Sequence, residues 1–241
     1  MGRVRFLRIF VIVVVVLGAL LAGVDRWAVG YAENRLADRI QARQGLSGST
    51  DVEIHGFPFL TQALSHDLDR VDLRLKGVDA TADGRKTRLS ELTARFHGVK
   101  LNGDYTGGTA ERAEGSALIT YADLTAASQT GATLTYGGAP NKVKVTATVE
   151  VLGKSLTRSV VSSVSLVDAE GGKGGKIVRV RADEVPGEGI PGIEKMVRKK
   201  TDFDRRLDDG LPAGLQLTAL TSDEAGVHLT LGGSDVVLAG S

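Results

Sequence analysis

The chain contains no cysteine. That excludes disulfides, thiolate metal sites, a cysteine nucleophile and a lipid-modified cysteine anchor, so burial alone must hold the fold together. Proline is scarce, with five in 241 residues, which argues against proline-rich linkers. Aromatic residues make up only 5%, leaving the interior to aliphatic and small side chains. Acidic residues are missing from positions 1–24, where Arg3, Arg5 and Arg8 all fall. Of 30 basic residues these three leave 27 for the body, against 29 acidic ones, under a formal charge of +1 for the whole chain. Nucleic-acid binding needs a basic face, which a nearly neutral body does not suggest.

What is present suits one domain behind a leader, divided as 1–24 and 25–241. Hydrophobic residues reach 42%, enough for a full core, and 31 glycines favour turns and curved strands. Ile9 to Val24 is a run without charge. As a helix its sixteen residues span about 24 Å, and Phe6 and Leu7, with Arg8 reaching outward, extend it toward the ~30 Å of a bilayer core. The arginines before it predict an inside N-terminus and a body outside the cytoplasm. A single-pass signal anchor in the cell membrane is the expectation. A cleavable signal peptide competes, giving a secreted or periplasmic body; Ala22 offers a cleavage position, but Leu20 stands where a small residue is wanted.

Asp25 to Leu46 is predicted helical, with Trp27, Val29, Tyr31, Leu36 and Ile40 on the apolar face and Glu33, Arg35, Asp38 and Arg39 on the polar one. Trp27 and Tyr31 suit either a membrane interface or packing on a sheet. A short strand is expected at Asp51 to Ile54 and a helical turn at Leu60 to His66. Strict alternation follows. Val71, Leu73 and Leu75 oppose Asp72, Arg74 and Lys76, with Asp83-Gly84 as a hairpin signal. Leu89, Leu92, Ala94 and Phe96 give way to Val99 and Leu101 on the other phase, as a bulge at Gly98 would cause. Lys142 to Leu152, Ser159 to Val167, Ile177 to Val180, Leu215 to Leu217 and Val227 to Leu231 read as further strands, with Val236 to Leu238 as a last piece. Ser116 to Ala127 fits strand or helix. Ile190 to Lys200 reads as a helix opened by Pro191 and closed by basic residues. The fold class is α+β: a long antiparallel sheet, dry on one face and wet on the other, with an N-terminal helix.

Little argues for catalysis. Gly171-Gly172-Lys173-Gly174-Gly175-Lys176 lacks phosphate-loop spacing and joins two strands, so it reads as a hairpin turn. His55, His66, His97 and His228 show no paired metal-ligand spacing. No G-x-S-x-G elbow surrounds a serine, and Asp67, Asp69, Asp208 and Asp209 sit in polar turns. The expectation is a protein that is not an enzyme, with no cofactor and no metal.

The segment that organises the chain is Ile54-His55-Gly56-Phe57-Pro58-Phe59-Leu60-Thr61-Gln62. Pro58 fixes its own φ and makes Phe57 extended. The two rings either plug a core or border an apolar cavity. Val52 through Gln62 resembles the signature of the LmeA-like phospholipid-binding family of actinobacterial cell-envelope proteins. Leu211-Pro212-Ala213-Gly214-Leu215-Gln216-Leu217-Thr218, followed by Gly226-Val227-His228-Leu229, is similar to that family's closing strands. The likeness runs from about Trp27 to the C-terminus. It implies a curved sheet wrapped on a helix, similar to tubular lipid-binding proteins, with a phospholipid inside and a role in lipoglycan maintenance.

On that reading Phe57, Phe59 and Leu60 gate or line the cavity, and Leu73, Leu75 and Phe96 form its wall. A buried acyl chain gains ~0.8 kcal/mol per CH₂, on the order of 10 kcal/mol for sixteen carbons before ordering costs. The expected partners are phospholipid, the membrane and envelope glycolipid-synthesis enzymes. Lys195, Arg198, Lys199 and Lys200 would meet anionic head groups or simply be a solvated helix face. The alternative is a structural or interaction protein of the envelope with a filled core. A hydrolase acting on lipids would need a Ser or Asp converging with a His.

Overall fold

The computed structural model describes residues 2–44, 48–82, 85–127, 132–151, 154–168, 175–184, 202–206 and 211–238. Leader and body helix are one element. Helix α1, Gly2–Gln44, runs unbroken through both. Its Phe10–Leu21 side chains are almost all exposed, and the helix is long and apolar enough to cross a membrane. In the body half Val29 is buried, with Ala28, Ala32, Ala37 and Ile40 packed beside it. The predicted apolar face needs correcting here. Trp27, Tyr31 and Leu36 point to solvent, and the inward stripe is mostly alanine, which lets the helix axis approach the sheet closely. Glu33, expected on the polar face, turns back. Its Oε1 accepts the Ile54 N–H at 2.8 Å, satisfying a donor on an edge strand.

The strands form two antiparallel sheets. The first has six strands in the order β1-β2-β3-β4-β11-β10. Its members are β1 Thr50–His55, β2 Asp67–Ala82, β3 Arg85–Leu101, β4 Gly108–Ile119, β10 Leu215–Ser222 and β11 Val227–Leu238. The second holds β5 Thr133–Tyr136, β6 Lys142–Val151, β7 Lys154–Asp168, β8 Lys176–Ala182 and β9 Phe203–Arg206 in sequence order. Helix α2, Phe59–Ser65, links β1 to β2, and α3, Tyr121–Ala127, leads from the first sheet to the second. Ser116 to Ala127 is therefore strand end and helix, the break falling at Thr120. The Asp83-Gly84 signal, the Ile190 to Lys200 helix with its four basic residues, Gly171 to Gly174, and Asp208 and Asp209 all lie outside the described residues.

Two cores result. In the first, α1 and α2 cover one end of the six-stranded sheet through Val52, Ile54, Phe59, Leu68, Val71, Val99 and Ala110. In the second, β10 and β11 meet the five-stranded sheet through Leu217, Leu220 and Val227 against Val143, Val164, Val178 and Val180. Tyr121 and Leu124 of α3 pack on its margin. The Tyr121 hydroxyl donates to the Asp223 carbonyl at 2.7 Å, and Ser222 Oγ to the Lys142 carbonyl at 3.2 Å.

The phase change at Gly98 has a different cause from the bulge expected. Pairing continues across it without an extra residue: Arg70 faces His97 and Leu68 faces Val99 on one side, His97 faces Arg112 and Val99 faces Ala110 on the other. Neighbouring strands change phase at the same column. Buried positions step from Leu68 to Val71 in β2 and from Ala110 to Ala113 in β4. Gly98 at φ 58° and Asp235 at φ 51° turn the backbone there. Register survives because the strands turn together, making a crease across the sheet. Below it Leu68, Val99, Ala110 and Val236 form one continuous buried row.

Candidate functional site

The elbow is fastened to the start of the body half of α1. Asp25 is only 2% exposed, and its Oδ1 accepts the Leu60 N–H at 2.8 Å. Arg26 pairs with Asp25 at 3.1 Å, donates to the Gly56 carbonyl at 3.3 Å, and holds its guanidinium 5.6 Å from the centre of the Phe57 ring. Gly56 has φ 110°, and a β-carbon there would collide with the Gln62 side-chain amide. Gln62 uses that position: its Oε1 accepts the Asp69 N–H at 2.8 Å, joining the elbow to β2. The Phe57–Pro58 peptide is cis. Pro58 is extended at φ −76°, ψ 136° and precedes the first residue of α2. His66 closes α2 in the left-handed region and stacks on Tyr105 at 4.5 Å.

The two rings separate. Phe59 is buried in the first core, whereas Phe57 is 65% exposed. Leu60 faces outward on α2. Leu73 and Phe96 are half-buried on the margin of the first core, and Leu75 is buried in an adjoining cluster with Val78, against Ile40, Leu73 and Leu92. Phe59, Leu73, Leu75 and Phe96 thus share one apolar region, while Phe57 and Leu60 stand outside it. Along that dry face the register aligns Leu73, Ala94, Gly115 and Leu231, and beside them Leu75, Leu92, Ala117 and Leu229. Small residues of β4 therefore lie between larger ones on either side.

A groove of about 550 Å³ crosses all six strands on the opposite, wet face. It is not the greasy tube the sequence suggested. Asp51, Glu53, Asp72, Arg74, Arg95 and Glu114 line it with Thr93, Ser116, Thr218 and Thr230, and of the expected lipid-binding residues Leu73 reaches its edge. Most of its charges are paired. Asp72 meets His55 at 3.2 Å, Arg70 at 3.3 Å and Arg95 at 3.5 Å, and Arg74 meets Asp51 at 3.6 Å. Glu53, His55 and Asp72 bring their ligand atoms within 4.8 Å of one another, close enough for a cation. Two guanidiniums already face the same Asp72, however. Sequence spacing gave no hint of this group, since the β1–β2 register sets Glu53 against Asp72.

In the second sheet Lys142 Nζ lies 2.6 Å from Ser163 Oγ and 2.8 Å from Asp183. Ser163 also donates to Asp183. Burial pushes the Asp183 carboxyl up, and hydrogen bonds from Lys142 and Ser163 more than reverse it. Lys142 acts as a donor to both partners, the opposite of what a base activating Ser163 must do.

Sequence reasoning missed Asp25 and Glu33 as anchoring groups. The available signal for Asp25 was its place as the first charge after a long apolar run. Residues 23–232 match the family profile described as LmeA-like phospholipid-binding. No curated protein and no solved structure matches the chain. The profile begins just before Asp25 and takes in the elbow, the six-stranded sheet nearly to its end and the whole of the second sheet; the chain belongs to the LmeA-like phospholipid-binding family.

Proposed function

We propose that this protein is a non-catalytic phospholipid carrier or sensor, tethered by α1 with its body outside the cytoplasm and serving maintenance of envelope lipids or lipoglycans. The family match over residues 23–232 carries the reading. The dry face of the six-stranded sheet supports it. Leu73, Leu92, Phe96, Leu229 and Leu231 are only partly covered there, and Ala94 and Gly115 leave low ground between them. Acyl chains lying along that face would complete its burial, with the head group at the margin. Envelope glycolipid-synthesis enzymes are the proposed protein partners, supported by the family resemblance alone.

The test is direct. The full chain, purified from its native membrane in mild detergent, is extracted and analysed by mass spectrometry, and uptake of labelled phospholipid from vesicles is measured in parallel. Bound phospholipid is expected, as is reduced uptake when Ala94→Trp fills the low ground without changing the circular dichroism spectrum. Absence of both bound lipid and uptake sinks the reading. A second reading, an interaction protein with a filled interior, has its own support: the row Leu68, Val99, Ala110 and Val236 is fully packed, and the groove described is charged.

A further inference from the structure

The elbow lies at a particular height on the helix. Phe10 to Leu21 touch almost nothing of the body. The first deeply buried residue after them is Asp25, and it is bonded to Leu60; Arg26 is bonded to Gly56. At ~1.5 Å per residue, these ties start from helix positions about 1.5–3 Å beyond Val24 along the axis of α1. Whatever surrounds the last turn of the apolar segment also meets the elbow.

The elbow presents exposed apolar side chains. Phe59 and Ala63 turn into the core, which leaves Leu60 and Leu64 on the free side of α2. Leu64 is 79% exposed, and Phe57 stands out from the adjoining turn. On α1 itself Trp27, 72% exposed, stacks on Tyr31 at 6.0 Å. At ~100° per residue Trp27 lies about 200° round the helix from Asp25, on the flank away from α2. Exposed apolar side chains therefore stand on two flanks of the helix beyond its apolar run, Trp27 and Tyr31 on one and Phe57, Leu60 and Leu64 on the other. Two polar groups of these flanks are paired: Asp25 with Arg26, and the Tyr31 hydroxyl with Arg35 Nε at 3.0 Å. Trp and Tyr rings, with an apolar body and a polar tip, suit the head-group level of a bilayer.

We infer that Phe57, Leu60 and Leu64 form a docking elbow that, together with Trp27 and Tyr31, enters the outer interface of the bilayer crossed by α1. The occupant follows from continuity: these flanks extend the surface of the same helix whose exposed apolar length requires lipid. Docking would fix the first core against the membrane. The inference rests on the tether included in the proposed function, and the experiment separates the two.

The absence of cysteine makes single-site labelling clean. Phe57→Cys, Leu64→Cys, Val16→Cys and Ser116→Cys are each labelled with an environment-sensitive fluorophore in the full chain. Each is reconstituted into phosphatidylglycerol–phosphatidylethanolamine vesicles doped with lipid bearing a nitroxide high on the acyl chain. All four positions are exposed, so folding is not at stake. The nitroxide lipid is expected to remove most of the emission at Leu64, Phe57 and Val16 and to leave Ser116, on the wet face, unchanged. Quenching at Val16 with none at Leu64 and Phe57 overturns the docking and leaves the tether standing. No quenching at any of the three overturns both. A Leu64 probe shielded from aqueous iodide but untouched by nitroxide lipid, with shielding that rises with protein concentration, assigns the face to a second copy and also overturns the docking.

Discussion

Phe57 and Phe59 flank one proline, yet the fold gives them opposite surroundings, and this difference can be measured. Phe59 is 8% exposed and sits among Val52, Ile54, Val71 and Val99, with Ala63 beside them. Truncating it to alanine loses a transfer term of about 1.5–3 kcal/mol, and the cavity left among β-branched neighbours on a paired sheet raises the total to ~3–5 kcal/mol. For a domain of this size each kcal/mol moves the melting temperature by roughly 2–4 °C, so Phe59→Ala should lower it by about 6–20 °C. Phe57→Ala loses no core contact. It gives up the Arg26 guanidinium over its ring, worth about 0.5–1 kcal/mol at an exposed site and hence at most ~4 °C. Thermal melts of the two full-length variants in mild detergent, followed by far-ultraviolet circular dichroism, decide the matter. Phe59→Leu should recover most of the loss. Equal shifts, or a larger one for Phe57→Ala, would refute the assignment of one ring to the core and the other to the surface.

Two further outcomes follow from the geometry. Gly98→Ala places a β-carbon at φ 58° and 2.8 Å from Glu111 Oε2; because the Glu111 side chain is exposed and can move, the cost is mainly the left-handed backbone, about 1–2 kcal/mol, read as a lower urea midpoint, and a neutral result would remove the crease from the account. Acid should destabilise the body late. Arg179 and Arg181 hold Asp204 below the ordinary carboxylate range, His228 and the Ala225 and Gly226 N–H groups hold Asp223 there, and Lys142 and Ser163 hold Asp183 there against burial. Each depressed carboxylate contributes stability that is complete above its unfolded value of ~3.9 and is lost as pH falls through the folded one. The urea midpoint should therefore stay level from about pH 7 to 5 and fall below ~4, less steeply in Asp204→Asn; a decline that begins above about pH 6 would assign the effect to other groups.

How far the fold could be read in advance depended on whether a segment's signal was local. The alternation of Val143 and Val145 against Lys144 and Thr146 marked β6 closely, because a strand with one dry and one wet face takes on period two. Strand β4 escaped. Gly108-Thr109-Ala110-Glu111-Arg112-Ala113 has no large apolar residue, and its buried alanines are covered by bulk from neighbouring strands, Val99 and Val236 beside Ala110 and Phe96 beside Ala113. The shift at Gly98 was visible, but its cause was not, since a bulge and a concerted crease leave the same trace in one strand.

The apolar leader, the α+β class, the elbow with its family signature and the alternating strands were legible from residue order alone, since each depends on neighbours along the chain. Packing between distant segments settled which phenylalanine is buried, that Asp25 and Glu33 secure the elbow and the β1 edge, and that the groove across the six-stranded sheet carries mostly paired charges. Those outcomes depend on which strands stand side by side and on where a helix axis comes to rest. Such facts belong to pairs of distant segments, and no single stretch of residues encodes them.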